Sequence, residues 1–234
     1  MKRSTLLLLA AAAAIAVVVA AQVLLAAGHP GRTAQAGAPR VQPGTDVLAG
    51  VVVVPQRVRR DDYRRAAFGA AWDDDNGAPG GRNRCDTRDD ILERDLFEKT
   101  YVSIKRCPRA VASGTLRDPY TNSTVAFVRG NQVGSSVQID HIVPLAFAWD
   151  MGARDWTAQL RKRFANDPAN LLAVAGQANQ DKGDLPPGEW LPPNAAFRCQ
   201  YAVAFIGVLR GYHLKVDQAS ATELRNAAAS CPSS

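Results

Sequence analysis

From Leu6 to Ala27 the chain is almost unbroken Leu, Ala, Val and Ile, interrupted only by Gln22; beyond it the apolar positions fall into short runs separated by turn-formers. Residues 28–50 are rich in Gly, Ala, Pro, Gln and Thr without periodicity and read as a flexible tether. Val51 to Val54, closed by Pro55, is either a short edge strand or the end of that tether. A helical pattern over 63–72 is stopped by Asp73-Asp74-Asp75-Asn76-Gly77-Ala78-Pro79-Gly80-Gly81. These aspartates lack the alternating ligands and distal Glu of a calcium loop, so they read as a solvated turn. A second helix is predicted from Thr87, with Asp89 and Asp90 in its first turn and apolar residues at Ile91, Leu92, Leu96 and Phe97.

Beyond Cys107 the pattern changes to strand-like pieces at 110–115 and 124–128, divided by the turn-former Asp118-Pro119-Tyr120-Thr121-Asn122. Val137 to Ile139 is the next strand and runs straight into Asp140-His141. Helical patterns follow at 145–151, 157–165, 176–182 and 198–212, and a last one starts near Ala219. The expected organisation is an N-terminal segment over 1–28, a linker over 29–50 and one domain over 51–234. No internal repeat is visible.

Lys2 and Arg3 ahead of the apolar stretch have the form of a signal peptide or a single membrane anchor over residues 6–27. The stretch is near the ~20 apolar residues needed to span hydrocarbon. Small-residue cleavage sites at Val19-Ala20-Ala21 and Ala34-Gln35-Ala36 favour export with removal. Either reading puts the rest of the chain outside the cytoplasm, secreted or tethered to the membrane. Cys85, Cys107, Cys199 and Cys231 all lie in that exported part and form no CxxC pair, which favours two disulfides over a zinc site. Three pairings are open; Cys85–Cys107 with Cys199–Cys231 closes local loops of 22 and 32 residues and is preferred.

The 234 residues carry a formal net charge of +6, of which Lys2 and Arg3 supply two. The basicity is uneven: arginines crowd the run Arg57 to Arg65, and Arg161-Lys162-Arg163 forms a second cluster. Both read as polyanion-binding patches or as solvated faces.

The chemistry concentrates at Asp140-His141. Hydrolysis of a phosphodiester needs a base for water and a cation near the phosphate. His141 suits the first role, because neutral imidazole accepts a proton near neutral pH. Asp140 suits a metal ion. Neighbouring strand residues point to opposite faces, so both can serve one site only if the strand ends there, as Pro144 suggests. Asn170, ahead of Leu171-Leu172-Ala173-Val174, can brace the His141 loop, and Asn179 can add an amide oxygen to a hard metal site. His29 in the tether and His213 after a helix lack such company. Trp149, Trp156 and Trp190 read as core.

The order Asp140-His141-Ile142-Val143-Pro144, Asn170, Asn179, Lys182 resembles the HNH nucleases. The wider wording, including Asp118-Pro119-Tyr120, Ala148-Trp149, Phe164-Ala165-Asn166-Asp167 and Glu189-Trp190-Leu191-Pro192-Pro193, resembles secreted actinobacterial proteins related to the C-terminal domain of the GmrSD restriction endonucleases. The resemblance implies an α+β fold, with a ββα-metal (HNH, His-Me finger) core embedded in a mostly helical domain with short strands. It implies a metal-dependent extracellular endonuclease, acting on DNA rather than RNA and with little sequence preference. His141 is then the general base and Asn170 the central asparagine, while Asp140 and Asn179 are the metal ligands. Lys182 is a candidate phosphate contact, as are Arg84 and Arg88 beside Cys85. Where the family often has a last histidine this chain has Asn179, so magnesium or manganese is expected rather than zinc. The competing expectations are a non-catalytic cell-surface binding module that keeps the fold, and a ribonuclease.

Overall fold

The computed structural model describes residues 39–130 and 135–233. The expected signal or anchor segment and residues 29–38 of the expected linker, His29 among them, lie outside the described residues. No helix among the described residues is long and apolar enough to cross a membrane. The described chain is a mixed α/β unit of helices and three small sheets.

Residues 39–50, read from composition as tether, are packed turns. Leu48 is buried in the core, and Arg210 donates to the carbonyls of Val47 and Ala49 at 2.6 and 3.0 Å. The contacts come from a helix more than a hundred residues away in sequence, so local composition carries no sign of them. Strand β1 (Val53–Val54) then pairs in parallel with β7 (Val216–Asp217). The helix expected over 63–72 is only a 3-10 turn at Arg65–Phe68, ended by Gly69 at φ 90°.

Helix α1 (Thr87–Asp95) starts where Asp86 accepts from the Asp89 amide, satisfying one of the free N–H groups of its first turn. It stops before Leu96; Phe97 belongs to strand β2 (Phe97–Ile104) and is exposed, against the expectation that it continues the helix. β-branched and aromatic content at Tyr101, Val102 and Ile104 wins once β3 (Cys107–Arg117) offers a partner. Strand β4 (Thr124–Val128) completes that antiparallel sheet in the order β2-β3-β4.

The segment that positions the site is β5 (Val137–His141), antiparallel to β6 (Leu171–Ala175), with β6 feeding directly into α4 (Gly176–Lys182). Between β5 and β6 come α2 (Leu145–Asp150) and α3 (Ala158–Ala165). The register pairs Asp140 with Leu172 and His141 with Leu171. Gly176 must be glycine: a Cβ there would lie 2.5 Å from the Ser135 carbonyl oxygen. Asp118, fully buried, accepts from the Ala175 amide at 3.0 Å and so ties the β3–β4 turn to the start of α4.

Helices α5 (Arg198–Gly211) and α6 (Gln218–Ala229) enclose the larger core, which includes Phe147, Phe164, Tyr201 and Phe205. Trp149 belongs to it, and Trp156 and Trp190 pack against it. A second cluster, with Ile91, Leu92, Phe127, Val137, Ile139 and Leu171, fills the space among α1, β3–β4 and β5–β6. The strand pair that carries the site is therefore held by core on both sides.

The disulfides are Cys85–Cys107 and Cys199–Cys231, which leaves no free cysteine among the described residues. Titration of the unfolded, unreduced protein should detect no thiol, and reduction should release all of them. Removing the pair Cys199 and Cys231 by serine substitution should lower stability by ~2–4 kcal/mol, read from the urea midpoint.

Candidate active site

Strand β5 ends at His141, where the chain bends through Ile142-Val143 before Pro144, the N-cap residue of α2. Asn170 makes that turn rigid. It is fully buried, its Oδ1 accepts from the Val143 amide at 2.8 Å, and its Nδ2 donates to the Val143 carbonyl at 3.3 Å. Its own carbonyl accepts from the Ile142 amide at 2.8 Å. Three bonds from one asparagine thus fix the two residues that follow His141.

The His141 side chain is 7% exposed. Its Nε2 lies 2.9 Å from the Ala165 carbonyl oxygen. A carbonyl only accepts, so Nε2 carries the hydrogen and Nδ1 keeps its lone pair. The imidazole stacks on the Trp72 indole, with ring centroids 5.6 Å apart and planes 10° from parallel. Trp72 adopts φ 57°, an unusual conformation for an aromatic residue, and its carbonyl is tied to the Thr87 amide at 3.2 Å. Burial, with smaller contributions from Arg65 and Lys182, pushes the His141 pKa down to about 3 against the opposing pull of the Ala165 carbonyl. The imidazole is therefore neutral at physiological pH.

This depression has a thermodynamic sign. The unfolded chain binds a proton at His141 below about 6.5 and the folded chain does not until about 3, so acid favours unfolding across that interval. Between those limits the stability of the metal-free protein should rise with pH by up to ~1.4 kcal/mol per unit from this group. The excess slope should vanish in His141→Gln when urea midpoints are compared at each pH.

Asp140 is buried and held from inside. Its Oδ2 accepts from the Lys182 ammonium at 2.6 Å and from the Tyr120 hydroxyl at 2.5 Å. Lys182 is fully buried and also donates to the His141 carbonyl at 2.7 Å. Its side chain therefore points into the protein and does not reach a phosphate at the surface. Burial lowers the Lys182 pKa, while Asp140 opposes that shift. Burial, reinforced by Asp140, raises the Tyr120 hydroxyl well above 10, so it remains a donor. Tyr120 is immobilised by edge contacts with Trp190 and Tyr201.

Asp140, His141 and Asn179 line one cleft of about 380 Å³, together with Tyr63, Arg65 and Asp184. Asn179 donates its Nδ2 to Gln138 Oε1 at 2.7 Å, which leaves its Oδ1 as an acceptor. With Oδ2 engaged by Lys182 and Tyr120, Asp140 has Oδ1 to offer. These are carboxylate and amide oxygens, the donor types that hard divalent ions accept.

Arg84 and Arg88 do not line this cleft. Arg84 is exposed in the loop before α1, where its amide donates to Asp74 at 3.0 Å. The Arg88 guanidinium donates to the Val137 carbonyl at 2.9 Å, at the opposite end of β5 from His141. One member of each basic cluster is engaged by internal partners: Arg57 pairs with Asp150 at 2.7 Å, and Arg161 donates to the Ala67 carbonyl at 2.9 Å. Arg65 differs. It is exposed, lies beside the Tyr63 hydroxyl, and borders His141. Its place in a run of arginines was visible in the sequence, but nothing there separated it from its neighbours. Trp72 had no signal, and Tyr120 stood out only within the Asp118-Pro119-Tyr120 wording, with no sign of its bond to Asp140, because the partners are distant along the chain.

A buried imidazole, a carboxylate and an amide thus meet in one cleft. The model of the GmrSD restriction endonucleases, C-terminal domain, matches residues 86–227. An uncharacterized secreted protein of Arthroderma benhamiae is 35% identical over 196 residues, covering 82% of this chain and 87% of the relative. The chain belongs to the GmrSD C-terminal-domain family, a nuclease-related family.

Proposed function

We propose that the protein is a secreted, metal-dependent endonuclease that hydrolyses nucleic-acid phosphodiester bonds, with β5, β6 and α4 as a ββα-metal core of the HNH type. The observation that carries this reading is the neutral His141 with a free Nδ1, set in the same cleft as Asp140 and Asn179. Secretion is supported by the charged and apolar N-terminus, the disulfides and the secreted relative.

Asp140 Oδ1 and Asn179 Oδ1 would hold a magnesium or manganese ion. When bound, that ion supplies charge to polarise the phosphate and to offset the leaving 3′ oxygen. His141 Nδ1 takes a proton from water, whose oxygen bonds to phosphorus as the bond to the 3′ oxygen breaks. Arg65 pairs with a phosphate oxygen at the mouth of the cleft. An anionic phosphate beside His141 favours the imidazolium and raises its pKa toward the working range. Asn170 keeps the imidazole in place, and Lys182 pins Asp140 and the His141 carbonyl from behind. Phosphate contacts carry no base information, so cleavage has little sequence preference. DNA is the proposed substrate ahead of RNA.

Incubation with plasmid DNA and with RNA across magnesium, manganese, zinc and chelator tests this. Nicking is expected with magnesium or manganese, and none with chelator; undiminished activity in chelator rules out the metal-dependent mechanism. The bond from Lys182 to Asp140 also favours a second reading, since the ammonium already compensates the carboxylate without a metal ion. In that reading the domain is a non-catalytic binding module, and no metal elicits cleavage of either nucleic acid.

A further inference from the structure

His141 separates two recesses. One is the polar cleft already described; the other is a slot of about 230 Å³ on its far side, walled by Phe68, Gly69, Ala70, Ala71, Trp72 and Leu145. Apart from Arg65 and His141, which border both, no charged side chain lines the slot. Its walls combine flat rings with small residues, which is the composition that admits a planar ring. Ala70 and Ala71 are exposed, so the slot opens to solvent.

Resting on the nuclease reading, we infer that this slot receives one unpaired nucleobase of the strand whose phosphate lies at His141, so that a single strand is cut in preference to a duplex. Continuity decides the occupant. The two recesses share the Arg65 cation, the proposed base His141 and the Leu145 side chain, and a nucleotide presents a phosphate and a ring a few bonds apart. Arg65 meets the phosphate where the slot joins the cleft, and Trp72 offers the aromatic surface on which any base can stack. The slot is smaller than the roughly 300–1,000 Å³ of pockets that enclose a drug-sized molecule, a size that suits one ring system. A base held in a duplex must leave its stack to enter, and a single strand avoids that cost.

The test measures affinity of the protein, in chelator so that nothing is cut, for a fluorescent single-stranded deoxyoligonucleotide and for the same backbone made abasic. Wild type should bind the base-bearing strand about tenfold more tightly, the worth of one stacked base. Ala70→Phe, which fills the slot, should remove that preference while leaving affinity for the abasic backbone unchanged; Ala71→Leu repeats the test should the first variant not fold. Equal wild-type affinity for the two backbones overturns the inference, as does an undiminished preference in the folded variants. Cleavage of a duplex circle as fast as of the same circle in single-stranded form also overturns it. A base preference that survives in wild type and is lost on filling the slot, without cleavage under any metal, sinks the nuclease reading and supports the slot.

Discussion

His141→Ala is expected to reduce cleavage by about 10² to 10⁴, the usual contribution of a positioned general base. The folded protein should persist, because the imidazole makes one hydrogen bond, to the Ala165 carbonyl, and the turn beyond it is fixed independently by Asn170. The measurement is the initial rate of plasmid nicking in magnesium or manganese, beside a thermal melt of the same preparation. Full activity in a folded variant would remove His141 from the chemistry. His141→Gln should be as inactive as the alanine variant, since an amide can donate to Ala165 but cannot take a proton from water.

Lys182→Met should have the largest effect on stability. The ammonium is fully buried and holds Asp140 Oδ2 at 2.6 Å. Its removal leaves a carboxylate inside the protein with Tyr120 as its remaining donor. Breaking a buried pair from one side costs ~3–5 kcal/mol, because the surviving charge is uncompensated. Urea unfolding should show the loss. Adding Asp140→Asn should recover much of it, since the amide carries no charge to strand. The double variant should nonetheless remain inactive, having lost the proposed metal ligand. If Lys182→Met is as stable as wild type, the ammonium is not compensating Asp140. If the double variant cleaves at the wild-type rate, Asp140 holds no essential ion.

Much of the local structure was legible. The strands at 124–128 and from Val137, and the helices at 145–150, 158–165, 176–182 and 198–211, follow from apolar periodicity and the turn residues between them. The disulfide pairing followed from loop length. Periodicity misled where a partner outweighed it. Residues 63–72 keep one 3-10 turn, and Phe97 opens β2, paired with β3, instead of extending α1.

Composition misled at 41–50, where α5 supplies donors to backbone carbonyls. Charge alone did not separate Arg57 and Arg161, which internal partners engage, from Arg65, which borders the cleft.

At the site, the sequence by itself determined the residue types: an imidazole and a carboxylate adjacent at a strand end, and two asparagines of the right chemistry further on. Those are local facts, set by strand periodicity and side-chain functional groups. Tertiary structure decided what each one does. The Ala165 carbonyl chooses the tautomer of His141, burial keeps it neutral, and Lys182 with Tyr120 takes one oxygen of Asp140. Arg65 and Trp72 enter only because a loop distant in sequence folds against β5. Hydrogen-bond direction, desolvation and proximity arise between segments far apart in the chain, so they exist only once the chain is folded.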